Sequence, residues 1–445
     1  MSLFGTDGIR GVAGSELTPG LAAQVGRAAA VVHAERVGAH PRFLIGRDTR
    51  LSGPMLEAAL VAGITSGGGD VEVLGVMPTP AVASLILQRG AHAGVVVSAS
   101  HNPFADNGIK FFNSDGFKVS DDEEAEIEEH VAEHDLPSLT GDEIGRVSHA
   151  HSAAVSEYVD ELVRRVPVDL SGMRLAVDCA NGAMFEAAAL GLRQTGAELS
   201  VLCDRPDGVN INDGCGSTHL HTLQRHVKAD GFDLGLAFDG DGDRVLAVDR
   251  HGELVDGDFV IAILAKHLKS KRLLRHETVV TTVMTNLGFH LAMRREGIEV
   301  HTTAVGDRYV LADMLEGDYL LGGEQSGHVI NRDVSTTGDG LATALLLLQA
   351  LREMDTPLDE VAKIMTRLPQ HLLNVPVSDK DALDGAEAVR KAVEAEEERL
   401  GGEGRILVRP SGTEPLVRIM CEATSPDVCE GVCLRIASVI EEELK

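Results

Sequence analysis

The sequence predicts an α/β protein of three similar α/β/α domains with mixed sheets, followed by a smaller C-terminal α+β domain. Three observations predict it. Short Val-, Ile- and Leu-rich runs alternate with helix-length runs along nearly the whole chain, the grammar of βαβ units. The alternation restarts twice, near Met173 and after "VLAVDRHGELVDGD". At 445 residues the chain is also too long for one ordinary core, given roughly 100–200 residues per domain.

In chain order, "RFLIGRD", "VEVLGV" and "GVVVSAS" read as buried strands, and "SGPMLEAALVAGITSGG" as a helix ended by glycines. The acidic run "DDEEAEIEEHVAEHD" reads as a solvated helix face. The amphipathic "HSAAVSEYVDELVRRV" precedes the second unit, which the strand of "MRLAVDCANGA" opens. In the third, "FVIAILAKHLKS" is a helix, "TVVTTVMTN" a strand and "LATALLLLQAL" a buried helix. "LPQHLLNVPVSDKD" leads into the last unit, which begins with a strand. It continues with the helix "DALDGAEAVRKAVEAEEERL", the strand pair "RILVRPSG" and "LVRIMCEA", and a closing helix.

No apolar window approaches the ~18 residues of a membrane span. The start "MSLFGTDGIRG" lacks the charged and apolar regions of a signal peptide, so a cytoplasmic protein is expected. Six cysteines without a CxxC pair make no disulfide framework, and Cys429 and Cys433 read as buried thiols. The net charge is −29, with only ten lysines among forty basic residues. Such an acidic coat suits a high-salt cytoplasm that screens self-repulsion, and it argues against nucleic acid or anionic membrane as partners. Any phosphorylated substrate then needs a locally positive site.

Four loops carry chemistry. In "LGLAFDGDGDR", an apolar strand empties into Asp239, Asp241 and Asp243, and glycines let three carboxylates face one point. Three such groups need a cation, the alternative being a solvated acidic turn. An EF-hand fails, because Arg244 and Arg250 stand where Gly and Glu are required. Carboxylates with room for phosphate oxygen suit Mg²⁺. "RPSGTEPLVR" is an anion nest or an ordinary hairpin turn. "GGEQSGH", with Glu324, Ser326 and His328, reads sugar hydroxyls or is a plain glycine loop.

In "SASHNPFADNGIKFF", Ser100 and His101 project oppositely from an extended strand end, so a Ser–His hydrogen bond is not expected. No GxSxG elbow surrounds Ser100 either. Phosphoryl transfer through Ser100 fits the four loops together. Arg10, Lys110, Arg244, Arg308, Arg409 and Arg418 are the cations available to it.

These loops, in this order, resemble the α-D-phosphohexomutase superfamily, and most closely its glucosamine-phosphate branch. "FGTDGIRG", "SASHNP", "DNGIKFF", "DCANGA", "NINDGCGSTH", "DGDGDR", "VGDRYV", "GGEQSGH", "TTGDG" and "RPSGTEPLVR" carry the likeness from Phe4 to Arg418. It implies four domains around a central cleft: 1–148 with a phosphoserine, 149–248 with a metal loop, 249–367 with a sugar loop and 368–445 with a phosphate loop.

Residue by residue, it implies that Ser100 is the phosphorylated nucleophile, with Asp239, Asp241 and Asp243 binding Mg²⁺ beside its phosphate. Arg10, His101 and Lys110 would flank the phosphoserine, with Lys110 and His328 as general acid and base. Glu324 and Ser326 would hold sugar hydroxyls, joined on the substrate by Arg244, Gly306, Asp307 and Arg308. Arg409, Ser411, Gly412, Thr413 and Arg418 would clamp the phosphate that is not transferred.

The implied reaction interconverts glucosamine 6-phosphate and glucosamine 1-phosphate, with a hexose 1,6-bisphosphate as intermediate and activator. Branches acting on mannose, glucose or pentose phosphates share the motifs. One departure is Ala304, where the resemblance implies a lysine whose contact is lost or supplied by Arg308. The composition adds an archaeal, halophilic flavour. Monomer and homodimer both remain open. A haloacid-dehalogenase-type phosphatase would need Thr or Val where Asp243 stands. A non-catalytic sugar-phosphate sensor would leave the chemical groups without a use.

Overall fold

The computed structural model describes residues 3–5, 7–38, 40–132, 139–411 and 416–444. They form two compact units, one of residues 1–284 with 298–363, the other of 285–297 with 364–445.

The first unit holds three mixed sheets. The six-stranded sheet runs in the order Ile9–Val12, Asp106–Asn113, Ala93–Val97, Arg42–Arg47, Asp70–Val76, Val147–His149. Its first two pairings are antiparallel and the rest parallel. Ala93–Val97 is buried at every position, as a continuous apolar run requires of a central strand. Helix Pro19–Val37 covers one face, started by a Thr18 cap with Pro19 behind it and stopped by left-handed Gly38.

The five-stranded sheet is ordered Leu254–Val255, Val245–Asp249, Leu234–Phe238, Arg174–Asp178, Glu198–Leu202, parallel over its last three strands. The four-stranded sheet is ordered Glu299–Thr303, Thr278–Thr282, Leu321–Gly323, Val329–Asn331. Helix Gly340–Met354 begins at an Asp339 cap, and Gly340 N donates to Gly242 O at 3.0 Å, so this helix start backs the acidic loop.

In the second unit, Leu416–Glu422 lies between Gln370–Pro376 and Arg405–Pro410, all antiparallel. Helices Glu387–Leu400 and Pro426–Glu443 accompany the sheet. The first of these starts later than the sequence predicts: "DALDG" forms a 3₁₀ turn over Asp381–Gly385. Cys429 and Cys433 are buried free thiols, as predicted. Among the described residues, no helix is long and apolar enough to cross a membrane.

Candidate active site

Beyond the strand Ala93–Val97 the chain turns sharply, and Ser100 takes φ 50°, a conformation rare outside glycine. What holds it there is a set of contacts, one local and the rest from remote segments. Ser100 N donates to Ser98 Oγ at 2.9 Å, and its carbonyl accepts from Arg50 Nη2 and Asn212 Nδ2, each at 2.9 Å. Arg50 is fully buried and matches its five N–H groups to five acceptors: Asp48 Oδ2 and the carbonyls of Ser100, Asn102, Pro103 and Asp106. The Ser100 hydroxyl is 1% exposed and donates to Asp239 Oδ2 at 2.7 Å.

One expectation is corrected here. Ser100 Oγ lies 3.2 Å from His101 Nδ1, so the two side chains do meet. The positive φ ends strand alternation before Ser100, and with it the reason for opposite directions. His101 Nδ1 also lies 3.4 Å from Arg244 Nη1. Burial first, then Arg244 and Arg10, hold this imidazole below its usual pKa.

Asp239, Asp241 and Asp243 are buried, with ligand atoms all within 4.8 Å of one another. The glycines between them make this possible. A Cβ on Gly240 would stand 2.4 Å from Ser100 O, and Gly242 has φ 74°. Asp241 Oδ2 accepts from Thr79 Oγ1 at 2.7 Å and Lys110 Nζ at 3.0 Å. Asp241 Oδ1 and Asp243 Oδ1 are buried without a hydrogen-bond donor among the described residues. Burial, then the charges of Asp243 and Asp241, push Asp239 well above the carboxylate range. Burial would raise Asp241 too, but Lys110 and its hydrogen bonds hold it below that range. Orphaned buried oxygens in a hard-oxygen cluster fit a divalent cation.

The positive groups interleave with carboxylates. Lys110 Nζ lies 3.2 Å from Asp7 Oδ2 as well as touching Asp241, and these carboxylates raise its pKa against the effect of burial. Lys110 is therefore an ammonium here. Asp7 also pairs with Arg10 and Lys118, and Lys118 reaches Asp307 Oδ2. His328 is buried, with Nε2 3.8 Å from Asp307 Oδ2 and 3.9 Å from Asp243 Oδ2. Glu324 accepts from Gly306 N at 3.1 Å and from the Ser326 hydroxyl at 3.4 Å. A cavity of about 530 Å³ is lined by Arg10, His101, Lys118, Asp243, Arg244, Asp307, Arg308, Glu324 and His328, among others.

In the second unit, Arg409 and Arg418 face each other as cross-strand partners, and Ser411 follows directly. The Ser411 carbonyl accepts from Lys380 Nζ at 2.6 Å. Gly412 and Thr413 lie outside the described residues.

Thus Ser100, Lys110, His101, Arg10, His328, the three Asp, Arg244, Gly306, Asp307, Arg308, Glu324 and Ser326 come together within one unit. Sequence reasoning missed Asp7, Asp48, Arg50, Thr79, Lys118 and Asn212. Asp7 and Asn212 sit inside quoted motifs, a signal that was available. The acidic run is also more than a solvated face. Glu123 pairs with His33 and Arg36, Glu128 Oε1 accepts from the amides of Leu3 and Phe4, and Asp121 pairs with Arg308.

Four family models match nearly the whole chain: phosphoglucomutase/phosphomannomutase alpha/beta/alpha domains I, II and III over residues 1–138, 156–252 and 256–368, and the C-terminal domain over 372–439. Among relatives, the chain is 53% identical over 442 residues to a phosphoglucosamine mutase of Pelotomaculum thermopropionicum, covering 99% of each. To that of Brevibacillus brevis it is 49% identical over 444 residues, again covering 99% of each. These relatives are bacterial and lend the archaeal expectation no support.

Of solved structures, a phosphoglucomutase/phosphomannomutase family protein from Burkholderia thailandensis superposes with TM-score 0.82 at 24% identity, covering 99% of this chain and 97% of the other. The Aspergillus fumigatus N-acetylphosphoglucosamine mutase in complex with GlcNAc-6P and magnesium gives 0.67 at 18%, covering 99% and 95%. These two speak for the fold alone. The chain belongs to the phosphoglucomutase/phosphomannomutase family.

Proposed function

We propose that this enzyme is a phosphoglucosamine mutase, interconverting glucosamine 6-phosphate and glucosamine 1-phosphate through a phosphorylated Ser100. The observation that carries the reading is the Ser100 hydroxyl, buried 2.7 Å from Asp239 at the edge of a carboxylate triad with orphaned oxygens. Full-length relatives of that name at about half identity support the sugar. Asp239, Asp241 and Asp243 would hold Mg²⁺ with an oxygen of the Ser100 phosphate. The cation would supply charge neutralisation to the transferring phosphoryl group.

The chain's own residues do the rest. A sugar hydroxyl, O1 or O6, attacks phosphorus while the bond from phosphorus to Ser100 Oγ breaks. The attacking hydroxyl's proton passes to His328, whose two ring nitrogens have no hydrogen-bond partner among the described residues, and the departing Ser100 Oγ takes a proton from Lys110 as general acid. Lys110, held as an ammonium, and Arg10 stabilise charge around the phosphoryl oxygens, and His101 and Arg244 close the other side. The resulting hexose 1,6-bisphosphate turns over and returns its other phosphate to Ser100, so one site serves two orientations. Glu324 and Ser326 read sugar hydroxyls, with Gly306, Asp307 and Arg308 beside them. Arg409, Ser411, Gly412, Thr413 and Arg418 take the idle phosphate. The four segments 1–148, 149–248, 249–367 and 368–445 divide these tasks.

Intact-protein mass spectrometry and a substrate panel test this together. One phosphate should map to Ser100, and Ser100→Ala should lose it with an activity loss on the order of 10⁴-fold or more. Active enzyme without that phosphate, or full activity in Ser100→Ala, overturns the mechanism. Glucosamine phosphate should rank first by kcat/KM among hexose and pentose phosphates. A clear preference for mannose phosphate overturns the substrate and leaves the chemistry.

A further inference from the structure

Lys118 follows the turn after Asp106–Asn113 and bridges back to Phe112, outside every motif assigned to the chemistry. Its Nζ is ion-paired to Asp7 and Asp307, its side chain is 19% exposed, and it lines the cavity. Asp7 does not depend on it, because Lys110 and Arg10 serve the same carboxylate. Asp307 does. Among the described residues Lys118 is the one lysine or arginine paired with it, and His328 Nε2 stands 3.8 Å away. Without Lys118, Asp307 would face the Asp7 carboxylate with no lysine or arginine of its own among the described residues.

Asp307 is also mechanically placed. It opens the helix Asp307–Glu316, and its neighbour Gly306 donates its N–H to Glu324 Oε1 at 3.1 Å. A shift of Asp307 therefore moves the carboxylate of the sugar loop. Two more contacts join residues 116–124 to the later part of the chain. Thr336 Oγ1 donates to Gly116 O at 2.6 Å, and Arg308 Nη2 lies 3.7 Å from Glu124 in addition to its Asp121 pair. Residues 118–124 thus pair with Asp307 and Arg308. In that stretch Ala304 contributes no charge, and Arg308 is engaged by the acidic helix.

We propose that Lys118 is a positioning residue for sugar recognition, acting through Asp307 to hold Gly306 and Glu324 in the register that receives the hexosamine phosphate. The inference rests on the phosphohexomutase reading above. It assigns Lys118 to binding and not to phosphoryl transfer, since Lys110 is the lysine that contacts Asp241.

The test compares KM and kcat for Lys118→Met, Lys118→Arg, Asp307→Asn and the double variant K118M/D307N, using the hexose phosphate that the wild type turns over best. Lys118→Met should raise KM about tenfold or more, as loss of one partner of a desolvated pair does. Its kcat should stay within about threefold, the signature of lost binding. Lys118→Arg should recover most of the KM. The double variant should be no worse than Lys118→Met, because it removes the charge left unpaired.

An unchanged KM in Lys118→Met overturns the proposal. So does a fall in kcat at constant KM, or a double variant whose losses multiply. Should Lys118→Met fail to fold, the charge-free double variant carries the same expectation for KM. A wild type that turns over no hexose phosphate sinks the reaction reading as well, whereas an active wild type with an indifferent Lys118→Met sinks only the role of Lys118.

Discussion

The acidic loop from Asp239 to Arg244 and the hairpin of Arg405–Pro410 with Leu416–Glu422 make the same unfavourable arrangement with opposite sign. In one, three buried carboxylates place ligand atoms within 4.8 Å of one another. In the other, Arg409 and Arg418 stand directly opposite across two strands, where like charges repel. A fold keeps such repulsion where a ligand of opposite charge relieves it. The two regions differ in how they are held. Thr79, Lys110 and a helix start brace the acidic loop from elsewhere in the chain, and antiparallel strand pairing sets the two arginines opposite each other.

Removing one charge from each side tests both halves. Asp239→Asn should cost roughly 10²–10³-fold in kcat/KM, the scale of losing one charge-stabilising group. Its effect on the ligand-free fold should have the other sign. Asp239 is pushed above its unfolded value, so the folded state binds more protons than the unfolded one and loses stability as pH rises through that interval. In EDTA at neutral pH, Asp239→Asn should melt at or above the wild type and flatten that pH dependence. With Mg²⁺ present the wild type should gain and the variant should not. A variant less stable than wild type in EDTA removes the cation half of the argument.

Arg418→Met is the counterpart. KM should rise about 10–100-fold, as for loss of one charge from a desolvated pair. Inorganic phosphate should raise the melting temperature of the wild type and leave the variant where it was. If phosphate protects both equally, the facing arginines are not its site.

Much of this was legible in the sequence because it is local. A strand followed by Asp-Gly-Asp-Gly-Asp announces converging carboxylates, and a Ser ending an apolar strand marks a place where polar chemistry replaces packing. What escaped was made by distance in the chain. Arg50 reaches over fifty residues to wrap the Ser100 turn, and Thr79 reaches Asp241 across 162. No periodicity encodes such pairs, since each is an ordinary surface-type residue until folding buries it. The Ser100–His101 contact escaped for a different reason. Alternation along a strand holds only while φ stays extended, and Ser100 leaves that region at 50°.

Thr79 tests the bracing of the acidic loop most finely. It is 1% exposed and opens the helix Thr79–Arg89. Its N–H donates to Asp241 O at 2.9 Å and its hydroxyl to Asp241 Oδ2 at 2.7 Å. With Lys110 on the same oxygen, Oδ2 is occupied and Oδ1 is left without a hydrogen-bond donor among the described residues. Thr79→Val keeps the shape and the backbone bond while deleting the hydroxyl. Metal affinity, read by calorimetry with Mn²⁺, should fall by about tenfold, the lower end for groups that orient a metal ligand. Turnover at saturating metal should stay near wild type, and Thr79→Ser should restore the affinity. An unchanged affinity in Thr79→Val would mean that Lys110 alone orients Asp241.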